Sequence, residues 1–260
     1  MRIPVRIALP CSGLTGYGNF CLGLIKYLSQ SRRLVVEWHA LNNEIQPSFP
    51  QEYRHLIDSH SQIRGLGLVI GYPTRIFQSA TRRTILYTMY EADDIPHDWK
   101  SYLGRAAEIW VPSEYCRLLF GKYHPRVKTI HLGYNHEIFH LKRGNRKSFW
   151  SLIGMPALKD AFVIGSAGVM TPRKGPDILF RAFQMAFPNQ VDPPVYLVFK
   201  SRGRRMVPAD ERVLWIDQDW PTETMARFYR ALDLFVLPTR GDGFAMCPLE
   251  AAACGTPALV

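Results

Sequence analysis

The sequence predicts an α/β protein built of two Rossmann-like domains. Two observations carry this. Short apolar runs rich in β-branched residues recur between amphipathic stretches, the alternation expected of parallel sheets. That alternation then stops near residues 132–150 and starts afresh, with a first strand series opening at VRIAL and a second at AFVIGSAGV.

A chain of 260 residues, 47% apolar and 21% charged, has room for two ordinary cores and is neither disordered nor fibrous in composition. No apolar run approaches the length of about 20 residues needed to cross a bilayer, and MRIPVRIALP lacks the apolar core of a signal peptide, so a cytoplasmic location is expected. Cys11, Cys21, Cys116, Cys247 and Cys254 form no CxxC pair and read as buried thiols in a reducing compartment. A net charge of +10 implies an anionic partner without choosing among phosphorylated substrates, an acidic membrane and nucleic acid.

VRIAL at 5–9 reads as the first strand, followed by a glycine-rich turn and a helix on which Cys21, Leu24, Ile25 and Leu28 share a face. LVVEWHAL, GLVIGY, TILYTM and EIWVPS supply further strands of a domain spanning 1–142. LGYNHEIFHLKRGNRKSFW loses periodicity and reads as a connector. In the domain from 143 to 260, AFVIGSAGV, YLVFK, VLWI and LFVLP are strands. A helix from about Pro176 carries Ile178, Leu179, Ala182 and Phe183 on one face, and TETMARFYRALD is a second helix. The chain ends at PALV, the start of a buried strand with no covering helix after it, so the second domain is expected to be incomplete.

LFVLPTRGDGFAMCPLEAAACGTPALV is the most informative segment. A buried strand runs into a loop holding Gly241, Asp242 and Gly243, then into a small-residue helix with Pro248 and Glu250 in its first turn. Ligands collect at the carboxyl ends of strands in open α/β sheets, where two carboxylates can accept from sugar hydroxyls and helix-start amides can face phosphate. The same residues also suit a purely structural turn, with Asp242 capping and Glu250 favouring the helix start. In the loop GSAGVMTPRKG, Gly165 and Gly168 allow close backbone approach. Arg173 and Lys174 place positive charge before a helix, suiting either a diphosphate or an exposed basic turn.

Pro238–Pro257 resembles the signature of retaining family 4 glycosyltransferases of GT-B fold: a strand, Pro-Ser-x-x-Glu-Gly-Phe-Gly, then Leu-Glu-Ala-x-Ala-Cys-Gly-Thr-Pro. The resemblance implies that Glu250 holds the ribose hydroxyls and that Asp242, in place of the usual glutamate, contacts the donor sugar. It also implies that Gly243, Phe244 and Ala245 bring backbone amides to the sugar and phosphate. Gly168 and Lys174-Gly175 match the family's Gly-Arg and Lys-Gly loop. Val169 stands at the arginine position, so either Arg173 substitutes or the phosphate grip is weaker. In the N-terminal loop PCSGLTGYGNF, which fits no dinucleotide fingerprint, Gly16 and Gly18 are the candidates for the glycine loop beside donor phosphate and acceptor.

IWVPSEYCRLLFGKYHPRVKTIHLGYNHEIF resembles the family's inter-domain passage, with Ser113 starting a helix and Gly133 and Phe139 at its end. Where many members have a histidine, this chain has Tyr90 and Glu91, making Glu91 an acceptor-side candidate; Asp93 and Asp94 read equally as a solvated capping loop. His131, His136 and His140 lack a carboxylate or thiolate at ligand spacing, so no metal site is expected. The Arg202, Arg204, Arg205 cluster reads as a solvated face or a phosphate or membrane contact.

The reading is two Rossmann-like domains facing across a cleft (GT-B), with acceptor on the first and donor on the second. Catalytic candidates are Asp242, Lys174, Arg173 and Glu91. The reaction implied is metal-independent transfer, with retention, from a UDP- or GDP-sugar to a glycan, lipid or protein acceptor. No cofactor and no nucleic acid are expected, and the basic charge allows peripheral association with an acidic membrane. The rivals are a non-catalytic sugar-nucleotide-binding protein and a basic membrane or nucleic-acid adaptor.

Overall fold

The structure, a computed structural model, describes residues 2–12, 16–57, 65–79, 81–142 and 146–260. The chain divides into two compact units, Met1–Gly133 and Tyr134–Val260.

In the first unit, β1 (Ile3–Cys11), β2 (Leu34–Ile45), β3 (Leu66–Ile70), β4 (Arg83–Tyr87), β5 (Glu108–Val111) and β6 (Val127–Thr129) form one parallel sheet in the order β2-β1-β3-β4-β5-β6. Its described helices are α1 (Gly16–Leu28), α2 (Gln51–Arg54), α3 (Trp99–Leu103) and α4 (Glu114–Gly121). Ala8, Val69, Leu86 and Ile109 of the central strands pack with Leu103, Leu119 and Phe120 of α3 and α4. Strands covered on both faces must be apolar throughout, which is why they read as continuous runs. The short edge strand β6 has no such run and is invisible to that reading.

Ser113 starts α4 as expected: it is extended, and its Oγ accepts from Cys116 N at 3.2 Å. Ser113→Ala is therefore expected to cost about 1 kcal/mol, read from urea unfolding, with Ser113→Asp close to the parent.

The second unit holds α5 (Arg146–Leu152), β7 (Phe162–Ala167), α6 (Pro176–Ala186), β8 (Val195–Ser201), β9 (Val213–Asp217), α7 (Thr222–Ala231), β10 (Leu234–Val236), α8 (Met246–Ala253) and β11 (Ala258–Leu259). The strands form a second parallel sheet in the order β11-β10-β7-β8-β9. On one face Leu179, Phe180 and Phe183 of α6 pack against Leu197 and Phe199. On the other, Trp150, Phe228, Tyr229 and Ala251 bring α5, α7 and α8 onto Val163, Val198 and Phe235.

The connector reading of 132–150 is corrected on two counts. Residues 134–142 belong to the second unit, so the division falls before 142. Phe139 is buried against Tyr229, and Arg230 donates to the carbonyls of Ile138 (2.6 Å) and His140 (3.1 Å). The segment's end is helix α5, whose Phe149 and Trp150 are buried in the core.

Both sheets change winding direction beside their first strand. From β1 the chain goes out to β2 on one side and returns to β3 on the other; from β7 it goes to β8 on one side and later to β10 on the other. Such switch points leave a crevice at the carboxyl ends of the adjacent strands. The glycine-rich, charged loops identified in the sequence lie there.

Candidate functional site

β7 and β10 are neighbours, with Leu234 beside Ile164 and Phe235 beside Gly165. The loops that follow them therefore run side by side although separated by almost seventy residues in the chain. Gly175, at φ +67° between a 3-10 turn (Pro172–Lys174) and α6, packs directly on the second loop: a Cβ there would lie 2.0 Å from Pro238 O. Polar contacts join the loops on both sides of it. Arg173 O accepts from Arg240 N (2.7 Å) and from Thr239 Oγ1 (3.1 Å), and the Arg240 guanidinium pairs with both oxygens of Asp177 at 2.9 and 2.7 Å.

Three candidates meet here. The Lys174 ammonium pairs with Asp242 Oδ2, both side chains being largely buried. Arg173 Nη1 donates to Gly241 O at 2.6 Å and stands 3.8 Å from Asp242 Oδ1. The alternative in which Asp242 only caps its turn gives way to a cross-loop ion pair, made because neighbouring strands deliver both loops to one place. A lysine ammonium has three donors, so Lys174 can hold Asp242 and still turn a donor to a phosphate oxygen.

Glu250 lies on α8, in its second turn rather than its first, since the helix starts at Met246. It is buried, and its Oε2 accepts from Tyr229 OH at 3.0 Å. Burial raises its pKa to about 7, against the lowering effect of that hydrogen bond. Burial likewise pushes the neighbouring Cys247 thiol up to about 11, where the charges of Glu250, Lys174 and Asp242 are also felt.

Gly243 is buried and Phe244 half-buried in the approach to α8. Ala245 is the helix's extended N-cap and brings no side-chain acceptor. The first-turn amides of α8 are thus not capped by the N-cap side chain, an arrangement chemically suited to an anion. Gly168 has φ +135° with open space where a Cβ would be, as a loop that lets a ligand approach its backbone requires. Gly165 differs from its expectation. It lies inside β7, and a Cβ would meet Leu232 Cδ1 at 2.3 Å, so packing accounts for it.

In the first unit, Gly16 opens α1 and Gly18 packs so tightly on the end of β1 that a Cβ would lie 2.2 Å from Ser12 O. Gly13 lies outside the described residues. A pocket of about 310 Å³ occupies this unit's switch point, lined among others by Tyr17, Asn42, Glu44, Tyr72 and Arg75. The sequence reading did not identify those five; the Asn42-Asn43 pair directly after the predicted strand LVVEWHAL, which takes up φ +60° and +56°, was the available signal. Glu91 is half-buried after β4, and its charge is felt at Tyr17, on the wall of that pocket. Asp94 accepts from Ile95 N (2.8 Å) and from Tyr123 OH and does not cap the following helix, whose N-cap is Asp98. Among the other groups considered, His131 and His140 bond to backbone carbonyls through Nδ1, and Arg205 donates to the carbonyls of Val207, Pro208 and Val213.

Residues 161–260 match the family model described as Glycosyl transferases group 1. Among curated proteins, the D-inositol 3-phosphate glycosyltransferase 1 of Catenulispora acidiphila is 33% identical over 154 residues, which are 54% of this chain and 36% of that protein. The D-inositol 3-phosphate glycosyltransferase of Mycolicibacterium smegmatis is 29% identical over 143 residues, 51% of this chain and 31% of its own length. The chain thus spans about a third of the curated relatives it matches. Among solved structures, the sucrose-phosphate synthase of Thermosynechococcus elongatus superposes with a TM-score of 0.73 at 15% identity, covering 99% of this chain and 80% of that one. Anabaena Alr3699/HepE in complex with UDP-glucose gives the same score and coverage at 13% identity. The α/β fold with two parallel sheets is the one those GT-B structures share.

Proposed function

We propose that this chain carries the donor and acceptor sites of a nucleotide-sugar-dependent glycosyltransferase that moves a sugar to an acceptor hydroxyl with retention of configuration and without a metal. The observation that carries the reading is the convergence of Lys174, Arg173 and Asp242 at the switch point beside β7 and β10, with Glu250 and the start of α8 adjoining. The UDP-glucose complex of a protein with this fold, and the glycosyltransferase names of the relatives, support it.

In this reading the Glu250 carboxylate accepts hydrogen bonds from the ribose hydroxyls, while Lys174, Arg173 and the α8 amides bear the diphosphate. Their role grows as the glycosidic bond breaks, because negative charge then accumulates on the leaving phosphate and preorganised donors cost no reorganisation. Asp242 fixes the Lys174 ammonium in place and presents its other oxygen toward the donor sugar. The developing oxocarbenium ion is attacked from the face the diphosphate leaves, and a departing phosphate oxygen takes the acceptor proton. The acceptor is placed in the first-unit pocket, with Glu91 on its acceptor side.

The test is release of free nucleoside diphosphate from UDP-, GDP- or ADP-sugars incubated with an acceptor panel of glycans, lipids and peptides. Product anomeric configuration is read from proton couplings, and a chelator is included throughout. Transfer with retention and undiminished by chelator is expected. An inverted product overturns the stereochemical assignment, and tight donor binding with no release favours the non-catalytic rival.

A further inference from the structure

Lys200 is the next-to-last residue of β8, inside its buried run, and is itself 8% exposed. It follows Val198 by two residues, so it shares the sheet face that Val198 gives to α7 and α8. Its ammonium lies 5.6 Å from the centre of the Trp220 ring. Among the described residues no carboxylate pairs with it: Asp219, the acid whose charge it feels most, is bound by Arg202. A buried ammonium is costly unless something negative meets it, and a cation–π contact returns only part of that cost. Burial accordingly lowers its pKa.

Its place in the sheet relates it to the donor loops. Lys200 is in register with Ala167, and its carbonyl accepts from Gly168 N at 3.1 Å, so it stands at the strand end beside the loop after β7. That loop offers the exposed, uncharged Val169. Across the same face lies Cys247, in the first turn of α8, near enough to Lys200 to act on it electrostatically, and Lys174 and Asp242 are near enough to act on Cys247. We propose that Lys200 is a third cation of the donor site, beside Lys174 and Arg173, whose ammonium binds the diphosphate of the nucleotide sugar. This rests on the donor reading given above.

The experiment is calorimetry of this chain and of Lys200→Met and Lys200→Gln with UDP, GDP and ADP and with the matching nucleosides, alongside thermal unfolding. The diphosphate that binds best is expected to weaken about tenfold in both variants, while its nucleoside binds unchanged. The midpoint of unfolding is expected to hold or rise in Lys200→Met, because a buried charge is replaced by an apolar side chain. Equal diphosphate affinity in a folded variant overturns the proposal while leaving the donor reading intact. Equal weakening of nucleoside and diphosphate overturns it too, since distortion would then suffice. A folded parent chain that binds none of the three diphosphates overturns both.

Discussion

Glu250→Ala is expected to weaken binding of the cognate nucleotide sugar by roughly a hundredfold, through loss of two charge-assisted hydrogen bonds from the ribose. The same carboxylate makes binding depend on pH. With its pKa raised to about 7 by burial, Glu250 is partly protonated near neutrality, and a neutral carboxyl is the weaker acceptor. Binding should therefore strengthen from pH 6 to pH 8 and release protons, measured as a dependence of calorimetric enthalpy on buffer ionisation. The Tyr229 hydroxyl and the Cys247 thiol beside it are held above their ordinary range by burial and remain neutral over this span. Stability runs the opposite way. The folded-state pKa exceeds the ordinary value of 4.5, so the folded chain binds more protons than the unfolded one between pH 4.5 and 7. Stability contributed by Glu250 is thus full below pH 4.5 and lost as pH rises through about 7, a change on the order of 3 kcal/mol. Glu250→Gln, which keeps an acceptor for Tyr229, should remove that part of the pH dependence and be more stable than the parent at pH 8, while binding donor poorly at every pH. An unchanged pH slope would contradict the assignment.

Gly175→Ala is expected to destabilise the second unit by about 3 kcal/mol. At φ +67° a side chain carries the left-handed penalty of about 1–2 kcal/mol, and the new methyl must also move the Pro238 carbonyl 2.0 Å away. Because that carbonyl is rigid backbone, the loops after β7 and β10 separate, and with them Lys174 and Asp242. Diphosphate affinity should fall by about tenfold even where the variant is fully folded. Urea unfolding and calorimetry of the same sample check both effects. Gly168→Ala, strained but uncrowded, should show the smaller loss of stability.

The strand runs were legible because both faces of each sheet are covered, so VRIAL, YLVFK and LFVLP carry little polar interruption. Helix α5 was not legible: its two buried residues, Phe149 and Trp150, are adjacent and give no helical period. The acidic loop was legible as strand, loop and helix, all within twenty-odd residues. Its electrostatics were not. Lys174 and Asp242 meet only because β7 and β10 are neighbours, and Tyr229 reaches Glu250 only because α7 and α8 pack together. Lys200 stayed hidden for a different reason: a lysine closing an apolar run looks like a strand reaching solvent, and only its burial shows otherwise.

The most direct measurement is calorimetric titration of UDP-, GDP- and ADP-sugars into the folded chain and into Glu250→Ala. The account predicts that at least one of the three binds the parent with a Kd in the micromolar range and that this binding is lost or weakened about a hundredfold in the variant. A folded parent chain that takes up none of them, or a variant that binds as the parent does, would contradict it.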